Sequence, residues 1–298
     1  MNYLTYLFLF FLGAVFGSFL DVLAMRYKEN EFILSKDIIF GRSKCSYCHQ
    51  KLKWYELIPI LSFIFQAGKC RNCGKKLSLE YPLVEILSGL VFVFVPIFFK
   101  NNIITFFSKT NFNLFYFWGV ILIWDLILLT LILIALIDFR LKIIPNETII
   151  FLLILGIILN ILILPNWNNF YSFLGQYKSL FFEFNNLWQN KLIAAFLGFL
   201  FFLILVLITL GRGMGMGDVK LIFALGFIFG WPEIILITIL SFVFGGIVGL
   251  FLILIKKSSF KDLVPFGPFI VLASFLTFFI GAQILDLYFL IASKIFNL

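Results

Sequence analysis

Two aspartates, four cysteines and a glycine run carry the chemistry that this sequence offers. Asp138 closes the apolar stretch LLTLILIALID, and Asp218 closes GRGMGMGD, which follows the charge-free stretch 192–210. Ionisable groups at the ends of such stretches are costly and are treated first as functional candidates. Two carboxyls held a few ångströms apart do not both ionise, so one stays protonated while the other draws a proton from a shared water. That water can attack a peptide carbonyl, which is aspartic-protease chemistry and requires no metal. The glycines fit the same scheme: beside a carboxylate they let a second backbone lie close, as a scissile strand must. Asp138 and Asp218 are therefore the candidate catalytic pair, with Gly215, Gly217 and Lys220 as candidate substrate contacts. Taken singly, each aspartate also reads as a helix-end residue, Asp218 as an N-cap and Asp138 as a partner of Arg140 or Lys142.

The cysteines form a second constellation, CSYC at 45–48 and CRNC at 70–73, or C-x2-C-x21-C-x2-C. Two such knuckles supply four thiolates to a tetrahedral Zn²⁺, so Cys45, Cys48, Cys70 and Cys73 are the candidate ligands. A closed four-thiolate site is structural, and it lets a small loop fold without a large core. Two disulfides are the competing pairing, disfavoured in a reducing compartment. His49 reads as an exposed bystander.

These residues need elements to hold them, and composition says which. Apolar residues make up 62% of the 298, charged residues 13%, and the mean hydropathy is +1.09. Such a chain belongs in a bilayer and forms an all-α polytopic membrane protein. Spans are predicted at 4–24, 82–99, 115–137, 148–164, 192–210, 219–231, 233–255 and 264–281, about eight helices, with a small zinc-ribbon-like insertion between the first two. The first stretch starts at Tyr3 without a basic flank, so it reads as a retained helix and not a cleaved signal.

With the N-terminus outside, the segments 25–81, 138–147, 211–218 and 256–263, with Lys220, face the cytoplasm and hold 18 of the 23 Lys and Arg. The formal charge of +8 is thus explained by orientation in the membrane and not by nucleic acid. Both aspartates then meet the cytoplasmic face. Outside, 165–190 is rich in Asn and aromatics and suits the headgroup layer. Asp21, Glu85 and Asp125 fall within or near spans and are assigned no catalytic role.

The motifs GSFLDVLAMR at 17–26, WYELIPILSF at 54–63, YPLVEILSG at 81–89, LIDFRLKIIPN at 136–146, GMGMGDVK at 213–220 and PFGPF at 265–269, together with the knuckles, resemble the bifunctional type IV prepilin leader peptidase/N-methyltransferases. These are membrane aspartic peptidases of the GxGD class. The resemblance implies that Asp138 and Asp218 are the catalytic pair and that the location is the bacterial cytoplasmic membrane. The implied substrate is a prepilin or pseudopilin with a short basic leader, cleaved after a Gly, whose new N-terminal residue, commonly Phe, is methylated with S-adenosylmethionine. It divides the chain into a methyltransferase-associated region 1–99, a peptidase core 115–255 and a C-terminal segment 256–298. One position departs from the pattern, since the family usually reads GSFLN where this chain has Asp21. No glycine-rich nucleotide fingerprint is present, so the methyl donor rests on the resemblance. Two other classes stay open on the residues alone: an ion-coupled transporter using Asp125, Asp138 and Asp218, and a membrane anchor acting through the zinc module. Transporters place polar groups near mid-membrane, which weighs against the first.

Overall fold

The computed structural model describes residues 2–101, 114–164, 172–255 and 264–296, apart from 30, 34, 40, 183, 185 and 212. Among these, eight long helices carry the chain: α1 Tyr3–Arg26, α2 Glu80–Asn101, α3 Leu114–Leu141, α4 Asn146–Ile163, α5 Leu187–Ile208, α6 Met216–Phe229, α7 Glu233–Leu254 and α8 Gly267–Phe296. Among the described residues β-structure is limited to two isolated bridges. The chain divides into two compact units, 1–100 with 124–137, and 101–123 with 138–298. The segment 256–263, Arg212 and residues 165–171 lie outside the described residues.

Seven of the eight helices are long and apolar enough to cross a membrane. The exception is α6, whose 14 residues rise only about 21 Å at 1.5 Å per residue. Past Lys220 it is apolar all round, and such a helix either spans a bilayer or is enclosed by others; too short to span, it is enclosed, with Leu221 to Phe229 buried apart from Phe223. Its flanks show how. Gly226 of α6 lies so close to α5 that an added Cβ would come within 2.7 Å of the Ala194 carbonyl oxygen and the Ala195 Cα. On the other side Gly156 of α4 faces Phe227 and Ile228 at 3.0 Å from its Cβ position. Small residues at such crossings are how helices approach closely without a hydrophobic driving force between them.

The C-terminal end of α6 has a device that the span prediction does not contain. Helix α5 starts at Leu187, five residues before the predicted 192, which places Asn190 and Lys191 inside it. Lys191 is 3% exposed, and its ammonium donates to the carbonyls of Ile228 and Phe229, both at 2.7 Å. Asn190 donates to the Trp231 carbonyl at 2.8 Å and accepts from the Trp231 N–H at 3.0 Å. The last carbonyls of a helix have no partner within it, and a cation there is favoured by the helix dipole.

Helix α8 runs well beyond the predicted 264–281, with a non-helical residue at Ile280 (φ −136°, ψ 21°). Next to that break, an added Cβ at Gly281 would stand 2.9 Å from the Phe173 carbonyl oxygen. Phe173 and Leu174 are buried, so this part of the predicted headgroup segment packs inward. In the first unit, α1 and α2 cross on small residues. A Cβ on Gly17 would meet Ser88 at 2.8 Å, and one on Gly89 would meet the Phe10 ring at 2.8 Å.

Candidate active site and metal centre

Asp138 lies in the last turn of α3 and Asp218 in the first turn of α6. Both belong to the second unit, and both line one cavity of about 400 Å³. Its walls are the α3–α4 connection, the glycine run and Val264–Phe266 before α8. Both carboxyls are nearly covered, 4% and 7% exposed. Each engages one oxygen with backbone. Asp138 Oδ2 accepts the Gly267 N–H at 2.9 Å, and Asp218 Oδ2 accepts the Gly215 N–H at 3.1 Å. Among the described residues no hydrogen bond engages Oδ1 of either.

Local sequence accounts for these bonds. Gly215 is the N-cap of α6, and Asp218 at the third helical position reaches back to it, the acidic half of a capping box. Asp218 thus sits within the helix, three residues past its cap, where the sequence alone also allowed an N-cap role. Gly267 opens α8 and is itself a candidate site residue: an added Cβ would lie 2.5 Å from Asp138 Oδ2. In the sequence, the motif PFGPF is the one signal that marks this glycine.

Of the glycine run, Gly211 alone has positive φ, +71°. Gly215 is extended (φ −87°, ψ 158°), and a Cβ on Gly217 would meet Ile144 at 3.1 Å. The run therefore works through close approach more than through left-handed backbone. Lys220 donates to Asn146 Oδ1 at 2.8 Å, tying α6 to the first residue of α4 at the rim of the cavity. Burial first, and the neighbouring Asp138 carboxylate second, push the Asp218 pKa up to about 7. A carboxyl that holds a proton at neutral pH beside a second carboxyl is equipped for acid–base work. Asp21, Glu85 and Asp125 are buried in the first unit and do not line this cavity.

The four cysteines converge in the first unit, with all four Sγ within 4.8 Å of one another and Cys45 Sγ 4.0 Å from Cys73 Sγ. None is disulfide-bonded. Thiolates about 2.3 Å from a tetrahedral ion stand roughly 3.8 Å apart, so the cluster fits such an ion. The two knuckles repeat one fold. Cys45 N–H donates to Gln50 and His49 N–H to Cys45; Cys70 N–H donates to Lys75 and Gly74 N–H to Cys70. Bridges Lys44–Lys51 and Lys69–Lys76 bracket them. His49 (φ 58°) occupies the left-handed position that Gly74 (φ 67°) fills in its twin, so its place is a turn position outside the sulfur cluster. Burial opposes ionisation of Cys45, but N–H groups of Cys48 and Tyr47 and the neighbouring thiols outweigh it and bring its pKa to about 7.

A second cavity, of about 420 Å³, opens beside this module within the first unit. Glu85 on its wall is 8% exposed; its Oε2 accepts the Ile60 N–H at 2.7 Å, and the Ser18 hydroxyl lies nearby.

Residues 11–99 match the model of the bacterial peptidase A24 N-terminal domain, and residues 125–250 match that of the type IV leader peptidase family. The prepilin leader peptidase/N-methyltransferase of Bacillus subtilis (strain 168) is 31% identical over 280 residues, 94% of this chain and 96% of that protein. The proteins of that name from Aeromonas hydrophila (29%, covering 83% of this chain and 74% of theirs) and Stutzerimonas stutzeri (28%, covering 92% and 90%) are also similar. No solved structure matches the chain. Two family models matched in series, a relative aligned nearly end to end, and a carboxyl pair lying within the peptidase match place this chain in the type IV leader peptidase family, among the prepilin leader peptidase/N-methyltransferases.

Proposed function

We propose that this protein removes the short basic leader of type IV prepilins and pseudopilins by cleaving after a Gly, and that it N-methylates the new N-terminal residue with S-adenosylmethionine. The observation that carries the peptidase reading is the pair of covered carboxyls, from separate helices, lining one cavity of about 400 Å³. Asp218 holds the shared proton and Asp138 is the carboxylate. Asp138 takes a proton from a water, whose oxygen attacks the scissile carbonyl while Asp218 protonates the carbonyl oxygen. Collapse of the tetrahedral adduct then expels the amine, which takes the proton from Asp138, while a hydroxyl of the adduct returns its proton to Asp218 as the new carboxyl forms. The backbone N–H groups of Gly267 and Gly215 hold each carboxyl in place throughout, which keeps the two Oδ1 atoms for water and substrate. Gly215 and Gly217 present a side-chain-free wall to the substrate strand, and Lys220 contacts it from the rim.

The excess of cations in 25–81, 138–147 and 211–218 supports a cytoplasmic active face with the N-terminus outside, in the bacterial inner membrane. Residues 1–99 form the methyltransferase-associated region, 115–255 the peptidase core and 256–298 the C-terminal segment. Cys45, Cys48, Cys70 and Cys73 hold one structural Zn²⁺. Bound S-adenosylmethionine supplies an electrophilic methyl group, which passes to the amine with loss of a proton and release of S-adenosylhomocysteine. Purified protein incubated with a prepilin and labelled S-adenosylmethionine, followed by mass spectrometry of the mature N-terminus, reads both reactions. Normal leader removal by Asp138→Asn or Asp218→Asn protein would overturn the peptidase assignment.

A further inference from the structure

The first unit holds a cavity that the peptidase reaction does not use. It measures about 420 Å³, and it is enclosed by α1, the start of α2 and the cysteine module. Ligands of metabolite size occupy cavities of about 300–1,000 Å³ lined by apolar surface with a few placed polar groups. The charges on its wall are mixed. Glu85 and Glu56 contribute carboxylates, Arg42 and Arg26 guanidiniums, Lys44 an ammonium, and Phe63 and Tyr81 aromatic rings; Arg26 is engaged, donating to the Ile38 carbonyl at 2.7 Å.

Glu85 is the group that asks for a ligand. It is buried near the start of a helix read as a span, where an anion is expensive. Its Oε2 accepts the Ile60 N–H at 2.7 Å, and the Ser18 hydroxyl is its other neighbour; among the described residues no cation pairs with it. Burying a carboxylate without a counter-charge is unfavourable, and a cationic ligand in the cavity would relieve it. Among the described residues Glu56 is committed on one oxygen, Oε2 accepting the Lys53 N–H at 2.7 Å.

We propose that this cavity is the S-adenosylmethionine site, with Glu85 as the counter-charge of the sulfonium. The inference rests on the reading that the chain uses that methyl donor. The donor's parts match what the wall provides. Its sulfonium and ammonium are cations for Glu85 and Glu56, its carboxylate suits Arg42, and its adenine is a flat ring for Phe63 or Tyr81. Cys45 and Cys70 also line the cavity, so the metal-bound knuckles form part of its wall and the donor site depends on the metal.

The test is equilibrium binding of S-adenosylmethionine to the full-length protein in detergent, with zinc content measured for each variant as a check on the module. Wild-type protein binds about one donor per chain. Glu85→Gln, which retains an oxygen for the Ile60 N–H, weakens binding by roughly tenfold or more. Ser62→Trp, which fills the cavity from another wall residue, weakens it at least as much. Wild-type affinity in both variants with full zinc would overturn the assignment of this cavity. Absence of binding by wild-type protein would instead overturn the reading that the chain uses this methyl donor.

Discussion

The two cavities are nearly equal in size, about 400 and 420 Å³, and are built by opposite means. The aspartate cavity is lined by helix ends within a helical unit: its carboxyls are anchored by the N–H groups of Gly267 and Gly215, and packing fixes those helices. The other is walled in part by a short module with few buried apolar side chains, where four sulfurs within 4.8 Å do the work of a core. A site made from helix termini inherits the stiffness of the bundle and needs no cross-link. A site walled by a small loop lacks that support, and a metal held by the four cysteines would supply it, because burial alone does not fix so short a segment.

The sharpest way to break this contrast is to remove one carboxyl. Asp138→Asn and Asp218→Asn each lower leader cleavage by more than about a thousandfold, at the upper end of what a general acid or base contributes, while S-adenosylmethionine binding persists. Loss of both functions in either variant would mean that the two sites are not separate.

Next is the metal. Cys45→Ser or Cys70→Ser lowers zinc affinity by more than about a hundredfold, and methylation falls further than cleavage does, as read by metal analysis and N-terminal mass spectrometry on the same preparation. Equal loss of the two activities would erase the distinction drawn between the cavities.

A subtler change separates geometry from stability in the aspartate site. Gly267→Ala places a methyl 2.5 Å from Asp138 Oδ2. The atom it meets is the end of a side chain that can rotate, so the fold tolerates the change while the carboxyl is displaced. Cleavage then drops by about tenfold to a hundredfold with little change in thermal unfolding. Full activity would show that the Gly267 N–H does not position Asp138.

The smallest effect is with pH. Asp218, raised to about 7 by burial and by Asp138, is protonated below that value and loses its proton above it. As holder of the shared proton it makes cleavage fall as pH rises past about 7, approaching tenfold per unit, with no matching fall in donor binding. A cleavage rate flat from neutral to alkaline pH would contradict its role as proton donor.

The spacing C-x2-C-x21-C-x2-C was enough to nominate four ligands, because a knuckle is local and its cysteines are three residues apart. The aspartates were legible for a different reason: a carboxyl at the end of an apolar stretch is conspicuous in a chain with 13% charged residues. The same low charge made the seven helices of membrane-spanning length readable, since a bilayer demands long uncharged segments. Other features left no such trace. Lys191 reads in sequence as a flanking cation, and only the packing of α5 on α6 turns it into a donor for the Ile228 and Phe229 carbonyls. Gly267 is 129 residues from Asp138, and no local pattern announces that its N–H will meet that carboxyl.

From sequence alone came the membrane-embedded helical class and the nomination of four cysteines and two acids as candidates, all of it from composition and short-range spacing. Tertiary structure decided what lies beside them: that Asp138 and Asp218 share a cavity, that α6 is too short to span and is capped from α5, and that Glu85 borders a second cavity by the cysteine module. Those relations join residues scores of positions apart, and they exist only once helix packing has chosen which side chains meet.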